Sequence, residues 1–331
     1  MSLLSRLPDK IVRSARFVCY KAGLEKNLYR FKENQDVVLL YHNVLDVARQ
    51  DINFRNVSVP DFEKVLRYIK RHFNVVTLRE IMTKPSTGRR IAITFDDGLV
   101  NNIRHALPVL ETLQIPATFF ISTPWLNGES VLWPDELSRL LQHVGNDVEL
   151  NGERFHRTYK CQFRSSKNNA KLEAVLCALP QHTIDEFLSK LKQRYPTNAQ
   201  YNSQEEDFCR VMKGEEIRIL ASSRFAEIGS HTVTHRNLNL LEDEELQEEL
   251  KDSKKYLEQI CQKPIDMFAF PFGIYSERIL HAAETAGYKH LVAVTKNLEV
   301  KSDSFPLCYR IGLYNDASVT SQLHLINKSF E

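Results

Sequence analysis

No stretch of this 331-residue sequence approaches the ~20 consecutive apolar residues that cross a bilayer. Net charge is nearly missing as well. Lys and Arg number 44 against 42 Asp and Glu, which leaves +2 at pH 7. No global field therefore argues for nucleic acid or an acidic polymer as partner. The six cysteines (Cys19, Cys161, Cys177, Cys209, Cys261, Cys308) form no Cys-x-x-Cys pair. A chain of this length needs no disulfide staples, and no secretory leader is read at its start. The expectation is free thiols in a reducing, cytoplasmic compartment. Internal repeats and low-complexity segments are absent too.

What is present is a globular composition, 43% hydrophobic, in a chain long enough for one large domain or two small ones. Residues 1–32 stand apart. Arg6, Lys10, Arg13, Arg16, Lys21, Lys26, Arg30 and Lys32 face only Asp9 and Glu25, beside an interrupted apolar stripe from Leu3 to Cys19. Two readings stay open: a helix packed on the domain with its charges solvated, or a basic helix lying peripherally on an anionic membrane face. Residues 1–36 are taken as an N-terminal arm and 37–331 as the main domain.

In that domain strands alternate with helices. Strands are expected at Val37–Tyr41, Val75–Leu78, Ile91–Phe95, Ala117–Ser122, Phe225–Ser230, Met267–Pro271, His290–Thr295 and Tyr309–Tyr314. Helices are expected near 61–72, 101–113, 242–260 and 276–286. This rhythm predicts an α/β fold with a parallel sheet, open or closed into a barrel. It breaks at about 145–214, a polar, mainly helical stretch with a hairpin at Asn151-Gly152. That stretch reads as an insertion or lid rather than a separate core.

Four strand ends carry chemistry. Ile91–Phe95 runs into Asp96-Asp97-Gly98, two adjacent carboxylates for which a strand has no structural use. Phe225–Ile228 runs into Gly229-Ser230-His231-Thr232-Val233-Thr234-His235, two imidazoles four apart. Such a pair alone is more often incidental than a metal site. In a parallel barrel, however, strand ends converge on one mouth. Two imidazoles and one carboxylate leave positions open for water and substrate, as catalytic Zn²⁺ requires. The same ligand set serves non-haem Fe(II) oxygenases. Phe268–Gly273 ends in a Pro-x-Gly turn, either an ordinary turn or a backbone N–H donor to an oxyanion. Tyr41-His42-Asn43 places a fourth polar end at the mouth.

Thr94-Phe95-Asp96-Asp97-Gly98, His231-Thr-Val-Thr-His235 and Phe270-Pro271-Phe272-Gly273, in this order, resemble the NodB-homology polysaccharide deacetylases, carbohydrate esterase family 4. Pro116–Phe120 and Ala286-Gly287-Tyr288 extend the likeness, which covers roughly 37–125 and 215–314. It implies a distorted (β/α)7–8 barrel and a metal-dependent deacetylase hydrolysing an acetamido group. By this resemblance Asp97, His231 and His235 hold the metal, Asp96 is the base, and the Phe272 N–H serves the oxyanion. The early Tyr41-His42 is similar to the poly-N-acetylglucosamine deacetylase branch, which makes His42 the acid. The family's usual motif has Arg two residues before the proline, tethering the base. Here Ala269 stands there, and Arg310 is the candidate replacement. Trp133, and Tyr41 beside His42, are candidates for substrate contact. The implied substrate is an N-acetylated sugar, oligosaccharide or lipid-linked glycan of surface-polysaccharide assembly. A non-catalytic carbohydrate-binding relative is the remaining alternative.

Overall fold

The computed structural model describes residues 31–49, 52, 55–158, 162–195, 202–294, 296–297, 305–314 and 318–331. The basic residues of the N-terminal arm from Arg6 to Arg30, with Cys19, and Cys161 of the insertion lie outside them. Among the described residues no helix is long and apolar enough to cross a membrane.

Seven parallel strands close into a ring: β1 (Gln35–Tyr41), β2 (Arg89–Phe95), β3 (Ala117–Ile121), β4 (Ala226–Ser230), β5 (Met267–Ala269), β6 (His290–Ala293) and β7 (Leu307–Gly312). Each pairs with its neighbours in chain order, and β7 returns to β1 through Val38↔Arg310, Leu39↔Ile311 and Leu40↔Gly312. The eighth expected strand is outside the ring. Asn74–Val75 pairs with Arg90 and Ile91 at the start of β2, short of the point where β3 joins at Ile93.

Alternation along the strands builds two apolar layers. Val37, Leu39 and Tyr41, with Ile91, Ile93 and Phe95, pack outward among the surrounding helices. One of those helices is α1 (Val59–His72), started by Ser58 accepting the Asp61 N–H and buried through Phe62, Val65, Leu66 and Ile69. The opposite parity, Val38, Ala92, Phe120, Met267, Ala269 and Val292, forms a smaller cluster inside the ring. Gly229 on β4 makes room there. A Cβ at that position would meet the Phe120 ring at 2.5 Å.

The helix expected over 101–113 is two pieces, a π-helical turn at Asn102–Ala106 and an α-helix at Leu107–Leu113. The wide turn accompanies a tie to the mouth, where Asn102 Nδ2 donates to the His42 carbonyl at 2.7 Å.

The insertion has a hydrophobic cluster of its own and begins earlier than its sequence boundary. It runs from α2 (Trp133–Leu141) through the antiparallel strands Asp147–Leu150, Glu153–Arg157 and Phe163–Ser165 to α3 (Gln181–Arg194). Leu137, Leu140, Phe155, Phe163, Leu176, Ile184 and Phe187 are buried together there. Polar composition hid this cluster, since the apolar residues are spread over several short elements. The hairpin turns at Asn151 (φ 51°) and Gly152 (φ 76°), the left-handed pair that an Asn-Gly turn supplies.

Candidate active site

Asp96 is the residue after β2 and keeps the inward parity of Ala92 and Thr94. Asp97 follows at φ 73° and Gly98 at φ 74°. Asp is among the few non-glycine residues that tolerate this region. Gly98 is obligatory twice over, because a Cβ would also meet Ile121 Cγ2 at 2.7 Å. Gly98→Ala should cost roughly 2–4 kcal/mol, from left-handed strain plus overpacking, read as a lower denaturant midpoint at constant slope.

β4 ends in the same way. Past Ser230 the loop bends through Thr232 (φ 69°) and His235 (φ 58°) and turns both imidazoles onto Asp97. His235 Nε2 lies 3.3 Å and His231 Nε2 3.6 Å from Asp97 Oδ1. One ligand atom from each of the three residues falls within 4.8 Å of the others. His231 Nδ1 lies 2.7 Å from the Ala269 carbonyl. A carbonyl only accepts, so Nδ1 carries the hydrogen and the Nε2 lone pair faces Asp97. Burial pushes His235 down to about 3, against the pull of Asp97. Asp97 Oδ1 is buried with no hydrogen-bond donor. Two imidazole Nε2 atoms and a carboxylate oxygen thus face one another with no hydrogen bond between them. A cation satisfies all three groups, and the donor set of two nitrogens and one oxygen fits a divalent transition metal.

Asp96, 3% exposed, is gripped by Arg310. Arg310 Nη1 and Nη2 donate to its two carboxylate oxygens at 2.6 and 2.7 Å, and Nη1 also reaches Thr94 Oγ1 at 3.3 Å. The guanidinium projects from β7 into the ring, 5.3 Å above Phe120. Burial alone would raise the Asp96 carboxyl. The Arg310 charge, then His231, then the Arg310 hydrogen bonds overcome it and hold Asp96 below its ordinary value. Arg310 therefore sits on the base candidate, as the sequence suggested. Ala269, where the family's usual arginine stands, is inside the ring and fully buried.

His42 shares the parity of Val38 and Leu40 and reaches the same mouth, its ring 6.1 Å from that of Tyr314. Burial lowers its pKa, with Asp97 opposing and Arg55 reinforcing. Phe272 occupies a left-handed position (φ 58°) in the turn after β5, and its ring packs edge-on against His235 at 4.5 Å.

Two expectations about substrate contact do not hold in this structure. Tyr41 has the outward parity, is fully buried, and stacks on Phe95 with Phe62 at its edge. A side chain without exposed surface does not meet a sugar. Trp133 is 6% exposed, donates its indole N–H to the His235 carbonyl at 3.3 Å, and packs on Phe272 at 5.7 Å. It supports the wall of the site rather than forming a stacking platform.

Three residues escaped the sequence reading. Arg55 bridges to Asp135 at 3.2 Å and to Glu173 at 3.8 Å, both on the insertion, and its charge is felt at Asp97 and His42. Burial pushes the Asp135 carboxyl up, with Arg55 opposing and Asp97 and Glu173 adding to it. The third is Glu249, whose carboxylate holds the His231–His235 loop. A charged residue on the buried stripe of a helix was the available signal.

A closed parallel barrel with carboxylates and imidazoles gathered where its strands end has the form of a (β/α)-barrel enzyme. The family profile for polysaccharide deacetylase matches residues 83–171 and 168–291. The chain belongs to that family of polysaccharide deacetylases. It is 23% identical over 277 residues to a poly-beta-1,6-N-acetyl-D-glucosamine N-deacetylase of Staphylococcus aureus, covering 79% of this chain and 72% of that one. It is 22% identical over 258 residues to YxkH of Bacillus subtilis, covering 76% of this chain and 62% of that protein's length. Among solved structures, IcaB from Ammonifex degensii superposes with a TM-score of 0.56 at 18% identity, over 90% of this chain and 98% of that one. A polysaccharide deacetylase of Bacillus cereus gives 0.55 at 19%, over 89% and 69%. These likenesses show the fold.

Proposed function

We propose that this protein is a metal-dependent N-deacetylase of an N-acetylated amino-sugar glycan, of the kind named for the Staphylococcus aureus relative. The observation that carries this reading is the pairing of two carboxylates with opposite surroundings. Asp97 lies among imidazoles with an oxygen left over, while Asp96, beside it, is held ionised by Arg310. A divalent transition metal held by Asp97, His231 and His235, zinc by preference, supplies Lewis-acid polarisation of a carbonyl and acidifies water.

The remaining work falls to the chain. Asp96 accepts the proton of the attacking water, and the Arg310 pair fixes its carboxylate plane so that a lone pair faces the mouth. Phe272, held in its left-handed turn, presents its backbone N–H to the developing oxyanion. His42 gives a proton to the departing amine, a poor leaving group until protonated. The insertion, tied to the barrel side of the mouth through Arg55, walls the cleft in which the sugar lies.

Acetate release from N-acetylglucosamine oligomers, measured after metal removal and again after reloading, tests this directly. Activity should vanish and return with the metal and should not require oxygen, which separates hydrolysis from a non-haem oxygenase. No release from any acetamido sugar by the reloaded protein would sink the proposal and leave a carbohydrate-binding relative. His42→Gln sharpens the acid assignment. It should lower turnover of the acetamide by about 10²–10⁴-fold while sparing an aryl acetate, whose leaving group departs without a proton. Equal losses on both substrates would remove His42 from that role.

A further inference from the structure

The loop that carries both imidazoles is a costly piece of backbone. Thr232 at φ 69° and His235 at φ 58° both lie in the left-handed region, and a β-branched residue there is a genuine outlier. Such conformations persist only where the surroundings over-determine them. The β3 side supplies part of the restraint. His231 N–H donates to the Ile121 carbonyl, Ser122 Oγ donates to the His231 carbonyl, and Thr123 N–H is shared by the carbonyls of Thr232 and Val233. These bonds restrain the His231 amide and the carbonyls of His231, Thr232 and Val233. The amides of Val233 and Thr234 are held from the other side.

That side is α4 (Asp243–Cys261), whose buried stripe is Leu246, Glu249, Leu250, Ser253 and Leu257. Two polar residues interrupt it, one meeting the start of the loop and the other its middle. Ser253 Oγ meets Ser230 Oγ at 3.0 Å, one residue before His231. Glu249 Oε2 accepts the N–H groups of Val233 and Thr234 at 2.8 and 2.9 Å, and Oε1 accepts the Thr234 hydroxyl. Glu249 is 5% exposed. A buried carboxylate is expensive unless its lone pairs are met. Here three donors meet it, all from the two residues between Thr232 and His235.

We propose that Glu249 is a positioning residue for the metal site: its carboxylate clamps the strained His231–His235 loop so that both imidazoles converge on Asp97. This rests on reading the Asp97, His231 and His235 cluster as a metal site. Glu249 touches neither substrate nor metal. It acts through the loop, as partners behind the ligands do in metal sites generally, where their loss weakens metal affinity by about 10–100-fold.

The test is Co²⁺ titration of the metal-freed full-length protein, following the visible d–d absorption with a competing chelator to set the affinity. Wild type, Glu249→Gln, Glu249→Ala and the neighbouring exposed Glu248→Gln are compared. Gln keeps the shape but replaces charge-assisted bonds with neutral ones of about half the strength. Its affinity should fall by about 10-fold and that of Glu249→Ala by about 100-fold, with altered d–d bands, while Glu248→Gln matches wild type. Turnover of Glu248→Gln at saturating metal should stay that of wild type, while that of Glu249→Gln falls as its metal is lost to the chelator. If Glu249→Ala does not fold, Glu249→Gln decides alone. Wild-type affinity and band shape in Glu249→Gln would overturn the clamp. A wild-type protein that takes up no metal would overturn the metal-site reading beneath it.

Discussion

Asp96→Asn should retain the metal and lose acetamide hydrolysis by about 10²–10⁴-fold, the contribution expected of a general base. Asn is isosteric and can still accept a bond from Arg310, so the folded structure should survive. Metal affinity should survive too, because the three ligand candidates are Asp97, His231 and His235. The diagnostic pattern is therefore a collapse of kcat at unchanged metal content and unchanged KM. Asp97→Asn makes the contrasting case, since it removes a charge from the cluster and should lose metal along with activity. Normal turnover by Asp96→Asn would place the proton acceptor elsewhere.

Arg310→Met should be the most damaging single change to stability at the mouth. It strands the Asp96 carboxylate in a buried site, and breaking a buried pair from one side typically costs about 3–5 kcal/mol. The pH dependence has a definite sign. Asp96 lies below its ordinary value in the folded protein, so its pairing contributes stability that is fully present above the unfolded carboxyl pKa of about 4. That contribution is lost as pH falls through the folded-state value. The gap between wild type and Arg310→Met should accordingly be widest at neutral pH and narrow in acid. Without the guanidinium, burial dominates and the Asp96 carboxyl rises. The acid limb of kcat/KM should move to higher pH, by contrast with Asp96→Asn, where no limb remains to move. Denaturant titrations at pH 4 and 7 and a pH–rate profile check both signs. A gap that widens in acid would overturn the pairing argument.

What the sequence made legible was local. Adjacent carboxylates, a His pair four apart and a Pro-x-Gly turn each announce themselves within a few residues, and the βα rhythm placed them at strand ends. Parity was the recoverable detail left unread. Tyr41 and His42 are neighbours, so a strand that presents one inward buries the other outward, and Val38 and Leu40 mark the inward set. Arg310 was reached only as a candidate, because its partner is 214 residues away and the closing contact of a ring has no local signature. Glu249 was harder still. In a helix beginning Asp243-Glu244-Glu245 and continuing through Glu248, one more acid passes for solvated unless its place on the Leu246–Leu250–Leu257 stripe is weighed. The insertion's own core stayed hidden for a related reason, being assembled from short pieces that each look polar.

The bond between first and last strands has a consequence for synthesis. A ribosome delivers β1 before β7, so β1 waits for β7 before its free edge is covered, and Asp96 waits for Arg310 on that same strand. A nascent chain stopped before Leu307 already holds Asp97, His231 and His235 but has no partner for the carboxylate beside them. Closing the ring and pairing the carboxylate of Asp96 are thus one event, and it waits for β7.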